Sequence, residues 1–487
     1  MKATTNLRAR NPDSHSNNLG RAERPSFFPG VDMDHSNEEK SGTAQFVLTA
    51  VLLCAAIVLG GSTRGVLADS LVQVLALLLV AMLLWPDPRR LVPAGTAWLP
   101  LLVLLIPLLA CLPMPGGLWS TLGARAPLAG ELASVQVRPD AHVGLIAYAA
   151  ERALWSLLPA AALYLSVLRL SLARQKQLLA LLFAFALIGV ILGFAQLADG
   201  PDSALRLHRP TNTVSAVGFF ANRNHFASFL GMVLPLVLAA AAWYAGERAA
   251  GKRINPLVIV GLIGLAVVLI LGVALTGSRA GLGLGMLSLL LAIPLIFSLR
   301  HRRGSKRVLA IIATVGIALT VQFALFGIMQ KLSVDPLTDS RWTMNQLALP
   351  AAQDQGALGA GPGTFRQIYQ PYEARARPNP LIVAHAHNDY LEVWLESGWP
   401  GLAAIALMLA YVAWFGIAVW RQDDGPGRLT ARACTIALLL VLVHSALDYP
   451  LRTTSNQVVF ALLLAIVVRV AGSARETRVA PVPATAA

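Results

Sequence analysis

Long runs of apolar residues, separated by short polar segments, dominate the chain. A transmembrane helix needs roughly 17–25 predominantly apolar residues, and most of the runs have that length. They predict twelve spans, at 44–61, 66–85, 98–112, 147–168, 177–198, 224–246, 255–275, 280–299, 308–328, 392–420, 433–447 and 455–471. The third run is short and contains Pro107. The pattern therefore predicts an all-α integral membrane fold.

Lysine and arginine are distributed unevenly between alternate connections. With a cytoplasmic N-terminus, roughly two thirds of the 39 Lys and Arg residues fall on the cytoplasmic side, as the positive-inside rule requires. Twelve spans then place both termini in the cytoplasm. The main connections on the other face are 113–146, 199–223, 276–279, 329–391 and 448–454. Residues 329–391, between spans 9 and 10, form the longest loop, and its aromatic residues among Gly and Pro predict short helices capping the membrane surface.

The two ends of the chain differ in composition from the rest. Residues 1–42 are rich in Asn, Ser, Asp, Arg and Pro, without an apolar period, which predicts a disordered cytoplasmic tail. Residues 473–487 end in a Pro- and Ala-rich stretch and predict a second one. The membrane domain is then 43–472.

Composition agrees with a membrane protein. The chain is 56% hydrophobic and 13% charged, whereas soluble proteins carry about 25% charged residues. The net charge of +14 is spread over short loops rather than one patch, which disfavours nucleic acid as a partner. Cys54, Cys111 and Cys434 all lie in apolar runs, so they are interpreted as buried apolar side chains rather than disulfide partners or metal ligands.

The apolar runs contain few ionisable residues. Asp69, Glu151 and Arg152 lie at the ends of predicted spans, whereas an ion-coupled transporter usually needs charged groups or broken helices near mid-membrane. This pattern favours an enzyme acting at the membrane surface. A lipid flippase stays open as the non-enzyme alternative.

Three predicted helix starts on the non-cytoplasmic face resemble one another. Asn222, Ser278 and Asn388 are plausible N-caps, and a helix N-terminus favours anions. Arg223 and Arg279 stand beside two of these starts, and an arginine fork can grip a phosphate bidentately. Together with Asn222 they suggest a site for a lipid-linked pyrophosphate. The alternative is that these arginines only reach out to lipid headgroups.

His387 is the candidate general base, because an imidazole can take a proton from an attacking hydroxyl near neutral pH. Asp389 or Glu392 could orient it. A helix-capping role is the alternative. His385 and His387 lack an evident third partner for a metal site, so we expect a metal-independent reaction without a cofactor.

Further polar residues fall on the same face. Arg341 could hold phosphate and Trp342 a sugar ring, with a structural role for the pair as the alternative. The glycine-rich segment 359–365 predicts a backbone turn rather than a phosphate loop. The residues that could line the same cavity are Arg209, Asn388, Asp389, His444, Asp448 and Arg452. Arg206 and Arg209 could also face the anionic substrate, with Arg209 as an alternative to Arg223 for the second pyrophosphate arginine.

In the order of its motifs, the chain resembles the O-antigen ligase and O-antigen polymerase superfamily over about 180–460. The resemblance rests mainly on Gly361-Pro-Gly-Thr-Phe365, His387-Asn-Asp-Tyr-Leu391 and Glu396-Ser-Gly-Trp-Pro-Gly401. Three other segments fit as well, namely Asn222-Arg-Asn-His225, Ser278-Arg-Ala-Gly281 and His444-Ser-Ala-Leu-Asp-Tyr-Pro450.

This resemblance implies a GT-C-like, metal-independent inverting glycosyltransferase of the bacterial inner membrane. The donor would be a glycan on undecaprenyl pyrophosphate, presented at the periplasmic face. The acceptor could be lipid A-core, a growing polysaccharide or a protein, which corresponds to a ligase, a polymerase or an O-oligosaccharyltransferase. The family roles of pyrophosphate arginine and periplasmic histidine correspond here to Arg223, Arg279 and His387.

Overall fold

The computed structural model describes residues 35–63, 67–85, 97–298, 340–376, 382–423 and 427–479, with isolated positions between 306 and 318. The chain divides into two units, Met1–Gly42 and Thr43–Ala487, and the second carries the candidate site. Within the described ranges the secondary structure is helical, apart from an isolated bridge between Pro113 and His142. This confirms the predicted all-α fold for that part of the chain.

The helices are numbered in chain order over the described residues. They are α1 His35–Leu59, α2 Leu67–Leu84, α3 Leu105–Ala110, α4 Gly116–Trp119, α5 Arg125–Ser134, α6 Ala147–Arg169, α7 Leu172–Asp199, α8 Arg223–Ala249, α9 Pro256–Leu275, α10 Arg279–Ser298, α11 Ser340–Asp354, α12 Phe365–Ala376, α13 Asp389–Trp420, α14 Arg428–His444 and α15 Thr454–Val479. Short 3₁₀ turns at Leu99–Leu104 and Pro450–Arg452 precede α3 and α15.

Seven helices in the described part are long and apolar enough to cross a membrane. These candidate spans lie within α1, α2, α7, α8, α9, α13 and α15, each in the place of a predicted span. Helix α1 begins at His35 and α15 ends at Val479, so both helices extend into the segments predicted as tails.

The other five predicted spans are not found among these seven candidate spans. The run at 98–112 is broken into a 3₁₀ turn and the short helix α3. Helices α6, α10 and α14 occupy the predicted places but are not among the seven candidate spans. Helix α6 contains charged residues that lower its hydropathy, and α14 has only 17 residues. The apolar part of α10, Arg279–Leu295, is also shorter than a candidate span. The run at 308–328 lies almost entirely outside the described residues. The count of twelve is therefore not confirmed.

Helix α8 lies at the centre of the bundle. Nearly all of its residues are buried, including those at its polar N-terminal end. A helix that is apolar all round is expected in such a place. It packs against α9, α10 and α14, while α15 packs against α6, α13 and α14. The polar start of α8 is thereby held inside the protein rather than at a lipid-facing surface.

Helix α13 contains a sharp kink at Gly398, where φ is 53°. A side chain on Gly398 would overlap the carbonyl of Ala357, so only glycine fits here. The glycine-rich turn predicted at 359–365 packs into this kink, with Gly361 N donating to Glu396 O at 2.6 Å. The kink fixes where the first half of α13 presents its acidic residues.

The long loop at 329–391 contains two helices among its described residues, α11 and α12. They pack with α13 around a small apolar cluster that includes Ala348, Phe365 and Tyr369. Short helices were predicted here. Their position relative to a membrane stays a prediction.

Candidate active site

Three helix starts and one helix end meet at one end of the bundle. Asn222 caps α8 by accepting from Asn224 N at 2.8 Å, and Asn388 caps α13 by accepting from Tyr390 N at 3.1 Å. Ser278 accepts from Gly281 N at 2.9 Å at the start of α10. Asp389 N donates to Ser445 O at 2.8 Å, which ties α13 to the end of α14. The predicted N-caps are confirmed.

Asp448 is the centre of this region. Its side chain is fully buried, and its Oδ2 accepts from Asn224 Nδ2 at 2.6 Å. Arg341 Nη2 lies 3.4 Å from the same oxygen, while Oδ1 accepts from Tyr449 N at 2.9 Å. Burial by itself raises the pKa of a carboxyl. The hydrogen bond with His387 and the charges of neighbouring histidines and Arg341 outweigh it and hold the pKa of Asp448 well below its ordinary value.

His387 joins this carboxylate directly. Its Nδ1 lies 3.0 Å from Asp448 Oδ1, and 22% of its side chain is exposed. Its backbone has φ of 52°, a left-handed conformation that is uncommon for residues other than glycine. An Nδ1–H donated to Asp448 leaves Nε2 as the basic nitrogen. This arrangement is the one a general base requires.

The prediction that Asp389 or Glu392 orients His387 was wrong. Glu392 Oε1 instead pairs with His385 Nδ1 at 2.8 Å, and Asp389 Oδ2 accepts from Ser445 Oγ at 2.9 Å. Both carboxylates point along α13 toward Arg452. Asp448 comes from a turn 61 residues further along the chain, and it had been predicted only as a residue of the cavity.

One tyrosine ring contacts three imidazoles. The ring of Tyr449 stacks on His385 at 4.3 Å and meets His387 and His225 edge to face at 4.8 and 4.7 Å between centroids. Its hydroxyl lies 3.4 Å from Asn222 Nδ2. The sequence offered no reason to single out Tyr449 beyond its place in the final motif. The ring restricts the orientation of His387.

Two arginines, Arg341 and Arg223, lie near Asp448, and Arg279 lies near Arg223. Arg341 Nη1 donates to Leu447 O at 3.2 Å, beside its ion pair with Asp448. Arg223 donates from Nη1 to Ser215 Oγ at 3.2 Å and lies next to the Gly277 turn that leads into Arg279. The charge of Arg223 interacts with those of Arg279, Arg341 and Asp448. The structure thus places Arg341 and Arg223 near the carboxylate that holds His387, with Arg279 near Arg223.

A second charged cluster, separate from the arginines near Asp448, surrounds Arg452. This guanidinium is within 2.9 Å of Glu396, 3.4 Å of Asp389 and 3.5 Å of Glu392. Burial by itself would lower the pKa of Arg452, but these three carboxylates raise it above its usual range. One cation among three carboxylates is a poor place for a phosphate. The site therefore has a basic side and an acidic side.

Only some of the residues predicted to line a cavity line the apolar cavity that the structure describes. Asp389 and Arg452 do line one, together with many apolar residues. Asn388 acts as a helix cap. His444 is fully buried between α14 and α8, where its Nδ1 lies 2.6 Å from Ser228 Oγ, so its prediction as a cavity residue was wrong.

Arg206 and Arg209 lie in the same 199–223 loop as Arg223. Arg206 donates to the carbonyls of Thr213 and Ser215 within its own loop. Arg209 is exposed. Among the residues that the structure describes, no group of three or more His, Cys, Asp and Glu is arranged to hold a metal ion.

Together, the apolar helices and this polar cluster define a multi-pass membrane protein with a histidine, a carboxylate and several arginines gathered at one end of its bundle. Residues 264–406 match the O-antigen ligase family model, which confirms the resemblance to the O-antigen ligase and polymerase superfamily. The matched segment includes Arg279, Arg341 and His387, whereas Arg223 and Asp448 lie outside it. A comparison with curated proteins gave no match.

Proposed function

We propose that the protein is an O-antigen ligase-like glycosyltransferase that moves a glycan from undecaprenyl pyrophosphate to an acceptor hydroxyl, at the periplasmic face of the bacterial inner membrane. The single observation that carries this proposal is the link between the His387–Asp448 pair and the arginines. A base and a diphosphate-binding surface are the two parts that glycan transfer from a lipid diphosphate needs. The family match supports the same class of reaction.

In the proposed reaction, the acceptor hydroxyl gives its proton to His387 Nε2 as its oxygen attacks the anomeric carbon. The new carbon–oxygen bond forms while the bond from that carbon to the pyrophosphate oxygen breaks, with inversion at the carbon. Asp448 stays ionised, because its pKa is held low, and stabilises the imidazolium that forms. The proton then leaves His387 for water.

The arginines act on the departing group. Charge builds up on the pyrophosphate oxygen as the glycosidic bond breaks, and preorganised guanidinium groups stabilise it more in the transition state than in the bound donor. Arg279 and Arg223 are assigned this role, with Arg341 and Asn222 as neighbouring donors. The leaving diphosphate takes both bonding electrons, so no metal or cofactor is assigned to this step.

The test is a transfer assay with purified protein in lipid nanodiscs and a labelled lipid-linked glycan. Lipid A-core, a second lipid-linked glycan and a peptide are offered as acceptors. We expect a new glycosidic bond, detected by mass spectrometry, and stoichiometric release of undecaprenyl pyrophosphate. The productive acceptor separates ligase, polymerase and oligosaccharyltransferase. Movement of the labelled lipid across a vesicle bilayer without bond formation would contradict the proposal and identify a flippase.

Replacing Arg279 with alanine should reduce kcat/KM for the lipid-linked donor by roughly 10²–10³-fold, the usual effect of removing one charge-stabilising donor. Arg279→Lys should retain part of the activity, because an ammonium keeps the charge but loses the bidentate fork. Arg209→Ala is the matched control, since Arg209 is exposed in a neighbouring loop. An equal loss in the control variant would mean that the arginine effect is a general effect of surface charge.

Tyr449 is expected to act as a positioning residue through its ring. Tyr449→Phe keeps the ring contacts and should stay within about threefold of wild-type kcat, whereas Tyr449→Leu should lower kcat roughly 10–100-fold, because His387 loses the ring that holds it in its orientation. The donor KM should change little in both. Steady-state kinetics check this, and an equal loss in the phenylalanine variant would assign the role to the hydroxyl instead.

A further inference from the structure

An elongated apolar cavity of about 340 Å³ lies beside the candidate site. The residues that line it come from the Leu99–Leu104 turn, α3, α6, α13, the end of α14 and the start of α15. Typical wall residues are Leu101, Leu157, Ile405 and Phe460. Its size falls within the range of about 300–1,000 Å³ that is usual for ligand sites.

The shape of the cavity fits a hydrocarbon chain. Along α13 its lining runs from Asp389 to Leu409, which is roughly 30 Å at 1.5 Å per residue before allowance for the kink. That is about the thickness of the hydrocarbon core of a bilayer. Small residues on the facing helices, including Ala160 and Ala404, leave the space open.

One end of the cavity is polar. Asp389, Glu396, Ser445 and Arg452 lie there, and Gln457 lines it as well. Gln457 Nε2 donates to Leu451 O at 2.8 Å, but its buried Oε1 has no hydrogen-bond partner among the described residues. A buried oxygen of this kind favours a hydroxyl donor from a ligand. Carboxylates, a serine and an amide oxygen together suit a hydroxylated head group.

The charge at this end is unsuited to a lipid diphosphate. Among the residues that line the cavity, Arg452 is the cation, and it is ion-paired with Asp389, Glu392 and Glu396. The arginines suited to a diphosphate, Arg223 and Arg279, do not line it. The donor's head group therefore belongs to the basic side, and the cavity fits a different lipid.

The polar end of the cavity also adjoins the proposed base. Asp389 follows His387 by two residues, and its backbone N lies 3.3 Å from Asp448 O. A hydroxylated head group bound at this end would therefore lie close to the His387–Asp448 pair.

We propose that this cavity binds the hydrocarbon chain of a lipid-anchored acceptor, with the acceptor's hydroxyl-bearing sugar at the polar end. This inference rests on the proposed function and adds to it an acceptor that is a glycolipid rather than a protein. It also predicts that donor and acceptor chains occupy separate places in the bundle.

Photolabelling tests the site without relying on turnover. The protein in nanodiscs is exposed to an alkyl glucoside that carries a photoreactive group on its chain, and in parallel to a photoreactive geranylgeranyl diphosphate. We expect the glucoside to label cavity-facing peptides of α6 and α13, and the diphosphate to label elsewhere. Labelling of the cavity by the diphosphate would assign it to the donor chain and overturn the proposal, as would labelling by neither probe.

A matched pair of variants sharpens the result. Ala404→Phe fills the cavity, whereas Ala406→Phe adds the same ring to an exposed position of the same helix. Only Ala404→Phe should abolish glucoside labelling and raise KM for a lipid-anchored acceptor by at least about tenfold. Transfer to a soluble, deacylated form of the same glycan should be unchanged in both.

The outcomes separate this inference from the proposed function. One outcome is that the wild-type protein transfers glycan and that Ala404→Phe and Ala406→Phe match it in both activity and labelling. That outcome would overturn the cavity assignment and leave the proposed glycosyltransferase function in place. Absence of any transfer with retained, Ala404-dependent glucoside labelling would establish a glycolipid site while contradicting the enzymatic proposal.

Discussion

Replacing His387 with asparagine should lower the rate of glycan transfer roughly 10²–10⁴-fold, the range expected when a general base is removed. Asparagine tolerates the left-handed backbone at this position, and its amide can still donate to Asp448 as His387 Nδ1 does. It lacks a basic nitrogen in place of Nε2. The transfer assay in nanodiscs measures the rate, and donor KM should stay within about threefold because the arginines are untouched.

Two further variants make this result specific. His387→Ala should be equally inactive, and free imidazole added to it should restore part of the rate. His142→Ala removes a histidine side chain that pairs with exposed Asp140, so it should behave as wild type. Full activity of His387→Asn would remove the base assignment, whatever the behaviour of the other two.

Much of the helical framework could be predicted because it depends on local information. The apolar runs at 224–246 and 255–275 became α8 and α9 within a few residues. The caps at Asn222 and Asn388 were predictable for the same reason, since a cap is a contact between residues two or three apart. The alternation of spans was enough to predict that these helix starts meet at one end of the bundle.

The pairing inside the site depends on packing, which the sequence does not display. Asp389 and Glu392 were the obvious partners for His387 because they are close along the chain. In the structure the start of α13 turns both of them toward Arg452, and the space beside His387 is filled by Asp448 from the turn after α14. The left-handed backbone of His387 sets this direction, and no residue pattern around it signals that conformation.

The kink in α13 had a similar effect. The run at 392–420 was predicted as one uninterrupted span, although it contains Gly398 and Pro400. The break at Gly398 lets the 359–365 turn pack against Glu396, which in turn holds Arg452. The acidic side of the site therefore follows from a backbone detail that the hydrophobic pattern conceals.

Asp448→Asn should lower kcat by about 10³–10⁴-fold, because an amide no longer stabilises the imidazolium and can hold His387 in the wrong tautomer. It should also destabilise the protein, since a buried carboxylate with four polar neighbours is lost while Arg341 keeps its charge. Thermal unfolding in nanodiscs measures the second effect. Normal kcat in a folded Asp448→Asn variant would remove Asp448 from the mechanism.

The pH dependence of stability gives an independent check on Asp448. Its folded pKa lies below its unfolded value of about 3.9, so the ionised group stabilises the native state fully above that pH. This contribution declines as the pH falls below about 4. Wild-type protein should therefore lose thermal stability more steeply than Asp448→Asn between about pH 5 and pH 3. Parallel curves would mean that Asp448 is not held ionised by its neighbours.

Exchanging the Asp448 carboxylate with the Asn224 amide separates the effect of Asp448 on stability from its effect on catalysis. Asn224 Nδ2 lies 2.6 Å from Asp448 Oδ2, so the double variant Asn224→Asp with Asp448→Asn exchanges the two groups and restores a negative charge near Arg341. We expect thermal stability to return most of the way, because the buried charges are again balanced. Activity should stay low, because the carboxylate now lies on the far side of the pair from His387 Nδ1. Recovery of both together would show that Asp448 acts only as a structural counter-charge and that His387 needs no carboxylate at 3.0 Å.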